Sequence, residues 1–287
     1  MTQTTKDKLE DDVRREAAAA IIAYYADIGI DETLEAKPID QFAPGDTASA
    51  DVAETNPVIE NARPLSSGPA DTSQVQGEPD NVLAEATRLA NSAESIEDLR
   101  RILTGFDGCP LKRTAQNLCL CDGNPEAPIM LIGEAPGRDE DIQGKPFVGR
   151  AGQLLDRMLA AIALDRSHVH ITNTVFWRPP GNRTPSPQET SICRPFLDRQ
   201  IELVNPTLIL VLGGAAAKEL FATKDGILRM RGKWRTLSIA GREIPALPTL
   251  HPAYLLRQPA QKKLSWRDLR SLRAEISSRG LIEDYAP

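Results

Sequence analysis

Four short apolar runs constrain this chain most: Pro128–Gly133, His168–Asn173, Thr207–Gly213 and Ile244–His251. Between and after them, at 151–163, 188–203, 214–222 and 265–279, apolar residues recur at helical spacing. Short apolar runs bounded by turn residues read as buried strands. Strands that alternate with helices predict a parallel sheet covered on both faces. The expected fold is therefore α/β, a three-layer αβα sandwich around a central four-stranded parallel sheet. Ligands of such sheets bind at the carboxyl ends of the strands. Unusual residues fall at those ends: Glu134 to Gly137, Asn173, Gly213-Gly214 and His251-Pro252. Their convergence on one sheet edge predicts a single active site.

The segment from Gly133 to Gly152 holds five glycines, two prolines, four acids and Phe147. Glycine lets backbone approach a ligand closely, and proline stiffens what glycine loosens. A stiff, amide-rich loop with one planar side chain suits a flat polar ligand, held at its edge by N–H groups and on its face by Phe147. A nucleobase is such a ligand. The segment lacks the Gly-x-Gly-x-x-Gly and Walker patterns of nucleotide-phosphate loops, which argues against a small-molecule nucleotide enzyme.

The chain of 287 residues is 41% hydrophobic, enough for a sizeable core. It has no apolar run of the ~18 residues that a membrane span needs, and its N-terminus lacks a signal pattern, so a cytoplasmic protein without membrane association is expected; a monomer is expected as well. Residues 7–28 read as a helix within an N-terminal unit of 1–30, and 31–79 as a disordered acidic, Pro-rich linker. Residues 80–105 read as a helical lead-in interrupted near Ala93, and 106–287 as the catalytic domain. Residues 1–106 carry 9 Lys and Arg against 21 Asp and Glu, whereas residues 107–287 carry 25 against 19. A basic domain behind an acidic extension fits nucleic-acid binding.

Five motifs in order resemble the uracil-DNA glycosylase superfamily, most closely its iron–sulfur (family 4) branch. They are Gly133-Glu-Ala-Pro-Gly137, Gly144-Lys-Pro-Phe-Val-Gly-Arg-Ala-Gly152, Ile171-Thr-Asn173, Arg178-Pro-Pro-Gly-Asn-Arg183 and His251-Pro-Ala-Tyr-Leu-Leu-Arg257. The resemblance spans roughly residues 106–280. It implies a base-excision repair enzyme that cuts the N-glycosidic bond of deoxyuridine in single- or double-stranded DNA, leaving free uracil and an abasic site. Such an enzyme acts on a base out of the stack. In a bacterial-type cytoplasm it would work on the nucleoid. A protein of the same fold that binds uracil or abasic DNA with little turnover is the alternative.

The same resemblance assigns roles residue by residue. Phe147 would stack on uracil, although a core Phe is the plain reading. Asn173 would read the uracil edge by accepting from N3–H and donating to O4; a strand-end turn is its plain reading. His251 would donate to O2 as charge builds there. Gly133 and Ala135 would line the base pocket. Ala135 stands where the best-known branch has an Asp that handles water, so Glu134 is the expected carboxylate at the reaction centre. Asp139, Glu140 and Asp141 read as a solvated acidic loop. Tyr254, Leu255, Leu256 and Arg257 would form a wedge into the base stack, and Arg178 and Arg183 would press on phosphate. His168 and His170 are expected to be structural.

The iron–sulfur branch has four cysteine ligands. Cys109 and Cys193 match the first and last, but Lys112 and Trp177 replace the other two, so no cluster is expected. Cys119 and Cys121 alternate on an expected strand, which would put both thiols on one side. With Cys109 and Cys193 they would form a shifted site, although Cys-x-Cys is not the family's spacing. A related class links covalently to DNA through a histidine in a basic insert; this chain has no such Lys-Arg-Arg-rich loop after Gly152.

Overall fold

The computed structural model describes residues 79–282. The expected helix at 7–28 and nearly all of the expected linker lie outside the described residues. Within them the chain runs α1 (Pro79–Asn91), α2 (Ile96–Gly105), β1 (Asp122–Gly123), β2 (Ile129–Gly133), α3 (Arg138–Gln143), α4 (Arg150–Ala160) and β3 (Val169–Asn173). It continues as α5 (Pro187–Val204), β4 (Leu208–Leu212), α6 (Gly214–Leu220), α7 (Ile227–Met230), β5 (Arg235–Ile239), β6 (Arg242–Thr249), α8 (Pro252–Arg257) and α9 (Lys262–Ser278).

The sheet order is β1-β3-β2-β4-β6-β5. Strands β3, β2, β4 and β6 pair in parallel, whereas β1 and β5 are antiparallel edges. The four expected parallel strands are the centre of a sheet of six. Neither edge announces itself as an apolar run. β1 is two residues long, and β5 buries alternate residues only, Leu237 and Ile239. β5 reaches β6 through Ala240 and Gly241, both at positive φ (48° and 75°), as tight hairpins require.

All five residues of β2 are buried, and so are all five of β4. Alternation sorts them between two layers. Met130, Ile132, Ile209 and Val211 face a core that includes Leu99, Phe196 and Ala216 from α2, α5 and α6. Ile129, Leu131, Leu208 and Leu210 face Leu155, Leu159, Leu269 and Leu272 from α4 and α9. Burial of each such side chain contributes roughly 1.5–3 kcal/mol, which anchors the strands whose ends carry the site. Local signals set the helix starts. Ser95 accepts from Asp98 N–H (3.0 Å) at α2. Ser186 and Glu189 close a capping box at α5, with Pro187 in its first turn. Among the described residues no helix is long and apolar enough to cross a membrane.

Candidate active site

The carboxyl ends of β2 and β3 lie side by side, Gly133 in register with Asn173. Thr174 N–H donates to Gly133 O (2.9 Å), and beyond β4 Gly213 N–H donates to Thr249 O (2.9 Å) on β6. With the β2–β4 pairing of Ile132 and Val211 between them, these bonds bring four strand ends into one rim. Above it opens a cavity of about 430 Å³ lined by Glu134, Ala135, Phe147, Asn173, His251, Tyr254 and Arg257, and also by Asn182 and Thr184.

Asn173 is 1% exposed, and its Oδ1 is buried without a hydrogen-bond partner. Buried polar atoms are normally paired, and an orphaned acceptor awaits a donor. Gly133 makes the approach possible. A Cβ there would lie 2.4 Å from Asn173 Oδ1 and 2.5 Å from Phe147 Cζ. The Phe147 and His251 rings lie 5.5 Å apart, 29° from parallel. Phe147 holds φ at +55°, a left-handed conformation unusual for a side chain of its size.

His251 caps α8 by accepting Ala253 N–H on Nδ1 (3.1 Å). Burial, and then the nearby Arg257 charge, push its pKa down to about 4. The imidazole is therefore neutral at pH 7, and its proton sits on Nε2 as a donor. Burial raises the Glu134 pKa, opposed by a hydrogen bond with Thr184. The Glu134 carbonyl accepts from Thr174 Oγ1 (2.7 Å), which fixes the backbone beneath it.

Several expected residues stand elsewhere. Leu255 is 1% exposed and packs in the α4/α9 core, so it is no wedge, and Leu256 packs against that core. The helical turn of α8 buries one side of the motif and leaves Tyr254 and Arg257 at the cavity. Arg183 forms a two-pronged ion pair with Glu189 (2.8 and 2.6 Å), which commits its guanidinium to the start of α5 rather than to phosphate. Arg178 donates to Asn182 Oδ1 (2.8 Å). Asn182 and Thr184 were not singled out in the sequence. Their signal was a Gly-Asn pair inside a Pro-rich segment, where Asn182 takes φ 54°. The acidic loop is not merely solvated. Glu140 accepts three backbone N–H groups, and Asp141, 2% exposed, accepts from Gln116 and Asn117 N–H.

The four cysteines do not gather into one group. Cys109 and Cys193 lie with their sulfurs 3.9 Å apart. Lys112 Nζ points to Thr104 O (2.6 Å) and Asp107 (2.7 Å), and Trp177 is buried against Phe176. At two of the four positions expected to hold ligands stand an ammonium turned to a helix end and a packed indole, side chains that do not fit a four-thiolate cluster. Cys119 and Cys121 lie outside any strand. Cys119 donates to Glu140 O (3.1 Å), and burial pushes its thiol up to about 12. Cys121 instead meets Arg100 (3.5 Å). The shifted site is thus not formed, and among the described residues no group of three or more His, Cys, Asp or Glu side chains could hold a metal ion.

A family model described as "Uracil DNA glycosylase superfamily" matches residues 121–270. The chain belongs to the uracil-DNA glycosylase superfamily. It is similar to the type-4 uracil-DNA glycosylase of Archaeoglobus fulgidus, at 42% identity over 170 residues, 58% of this chain and 85% of that protein. The type-4 uracil-DNA glycosylase of Saccharolobus solfataricus is 42% identical over 181 residues, 61% of this chain and 84% of the relative. That of Sulfurisphaera tokodaii is 38% identical over 185 residues, 63% and 84%. The kinship with the family 4 branch read from the five motifs stands.

Proposed function

We propose that this chain is a monofunctional uracil-DNA glycosylase, which hydrolyses the N-glycosidic bond of deoxyuridine in DNA and leaves an abasic site and free uracil. The partnerless Oδ1 of Asn173 carries the reading. Uracil offers N3–H to that oxygen and O4 to the amide N–H, whereas cytosine offers an acceptor and a donor in the reverse order. Phe147 gives the base a face, and Gly133 lets it come close. The target base reaches this cavity only out of the stack.

Chemistry here is charge stabilisation. As C1′–N1 breaks, its electron pair departs on uracil, and water adds to C1′, releasing a proton. The Nε2–H of neutral His251 donates to uracil O2 as negative charge develops there, a preorganised donor of the kind that dominates such reactions. Glu134 opposes the sugar cation or holds the water, since Ala135 supplies no carboxylate. Tyr254 and Arg257 at the cavity mouth meet DNA. In this reading the reaction proceeds without an iron–sulfur cluster, since Lys112 and Trp177 stand where two thiolate ligands are expected. The protein works as a monomer, in the cytoplasm and on the nucleoid.

Release of uracil from a single-stranded oligonucleotide with chelator present, scored by alkali cleavage, tests the reading. Multiple turnovers by protein whose iron content is far below stoichiometric support it. Tight binding of uracil-containing or abasic DNA without turnover makes the chain a binding protein instead. Four irons per chain would overturn the cluster-free part alone.

A further inference from the structure

We infer that Glu140 and Arg166 are positioning residues for Phe147, holding one peptide unit so that its ring stands ready as the stacking face of the base site. The inference rests on the reading of the cavity as a uracil site.

The peptide between Phe147 and Val148 is gripped at both ends by opposite charges. Arg166 Nη2 donates to the Phe147 carbonyl. Glu140 Oε1 accepts from the Val148 N–H (3.0 Å) and the Gly149 N–H (2.9 Å). The other carboxylate oxygen accepts from the Gly137 N–H (3.1 Å). Glu140 thus ties the segment leaving β2 to the segment entering α4, with Phe147 between them. Arg166 is itself fixed from two elements, by Asp122 on β1 (2.6 Å) and Asp156 on α4 (2.8 Å). On its remaining side the Phe147 carbonyl abuts Gly152, where a Cβ would come within 1.7 Å of the oxygen.

This hold has something to oppose. Phe147 at φ +55° has no short polar side chain to stabilise a left-handed backbone, as Asn or Asp has. Released, the peptide would rotate toward an ordinary conformation and carry the ring away from Gly133 and His251. Glu140 lines the cavity, but both its oxygens are engaged by backbone N–H groups. It acts through the loop, not on the substrate.

A double-mutant cycle separates these roles. The quantities read are the inhibition constant of free uracil, and kcat and KM on a uracil-containing single-stranded oligonucleotide. Glu140→Ala should weaken uracil inhibition about tenfold, the lower end of what a base–aromatic stack contributes. Glu140→Gln, which keeps one acceptor oxygen, should recover part of that loss. In a Phe147→Ala background the same substitutions should change uracil inhibition by less than about twofold, because coupled residues are not additive. Arg166→Lys should behave like Glu140→Gln and completes the cycle if Glu140→Ala does not fold. Equal factors in both backgrounds, or unchanged uracil inhibition, would overturn the inference while leaving the glycosylase reading intact. A wild-type protein that neither binds nor excises uracil overturns both.

Discussion

At Asn173 a buried acceptor without a partner carries a desolvation cost of about 1–3 kcal/mol, which a ligand N–H offsets. That sets the direction of the simplest substitution. Asn173→Asp keeps an acceptor for N3–H but removes the donor to O4 and adds a charge, so kcat/KM on uracil should fall about 10²-fold or more. The preference for uracil over cytosine should fall with it in paired excision assays. His251→Ala removes the donor to O2 and should lower kcat by roughly 10²–10³ with a smaller effect on KM, measured by single-turnover excision. A third residue bears on stability. His170 on β3 is 1% exposed, and Gln200 Nε2 donates to its Nε2 (2.9 Å). Burial lowers its pKa from 6.5 to about 4. The unfolded imidazole takes a proton below pH 6.5, while the folded one does so only near 4, so in that window the unfolded state binds more protons. Stability should be full above pH 6.5 and decline by on the order of 3 kcal/mol as pH falls to 4. His251 titrates in the same window. A melting curve for His170→Asn that is as steep between pH 6.5 and 4 as wild type would refute this account.

Strand ends place what the residues do. Gly133 closes β2 at a point where even a methyl group meets Asn173 Oδ1 and the Phe147 ring. Gly133→Ala should therefore reduce uracil binding at least about tenfold while shifting the melting temperature little, read by uracil inhibition beside thermal unfolding. The parallel centre of the sheet was legible in the sequence because β2 and β4 bury every residue and so appear as unbroken apolar runs. The two edges were not. Asp122–Gly123 is too short to show a period, and β5 carries only two buried residues. The site was half legible for a similar reason. Glu134, Asn173 and His251 stand at strand ends, where spacing in the chain predicts position in space. Leu255 belongs to a six-residue helix whose facing is set by packing on α4 and α9, which no local pattern reveals. The roles of Glu140 and Arg166 depend on contacts 8 and 19 residues away in the chain, and acidic loop composition looks the same whether its carboxylates meet water or backbone.

Across the whole molecule, acid on the N-terminal side and base on the catalytic side are the sequence's broadest signal, and residues 107–287 carry both the sheet and the excess of cations. The positions expected to hold a cluster are equally spread along the chain. Cys109 precedes the sheet, Lys112 bonds to the end of α2, and Trp177 and Cys193 belong to the packing around α5. The rim has a further consequence. Its amide, its ring and its imidazole come from positions 173, 147 and 251, and β6 brings the last of them through the exposed turn at Ala240–Gly241. A backbone nicked at that turn would divide the molecule into one fragment carrying Asn173 and Phe147 and another carrying His251. Reassociation of the two pieces would then be readable as recovered excision, making this fold a natural two-part reporter of its own assembly.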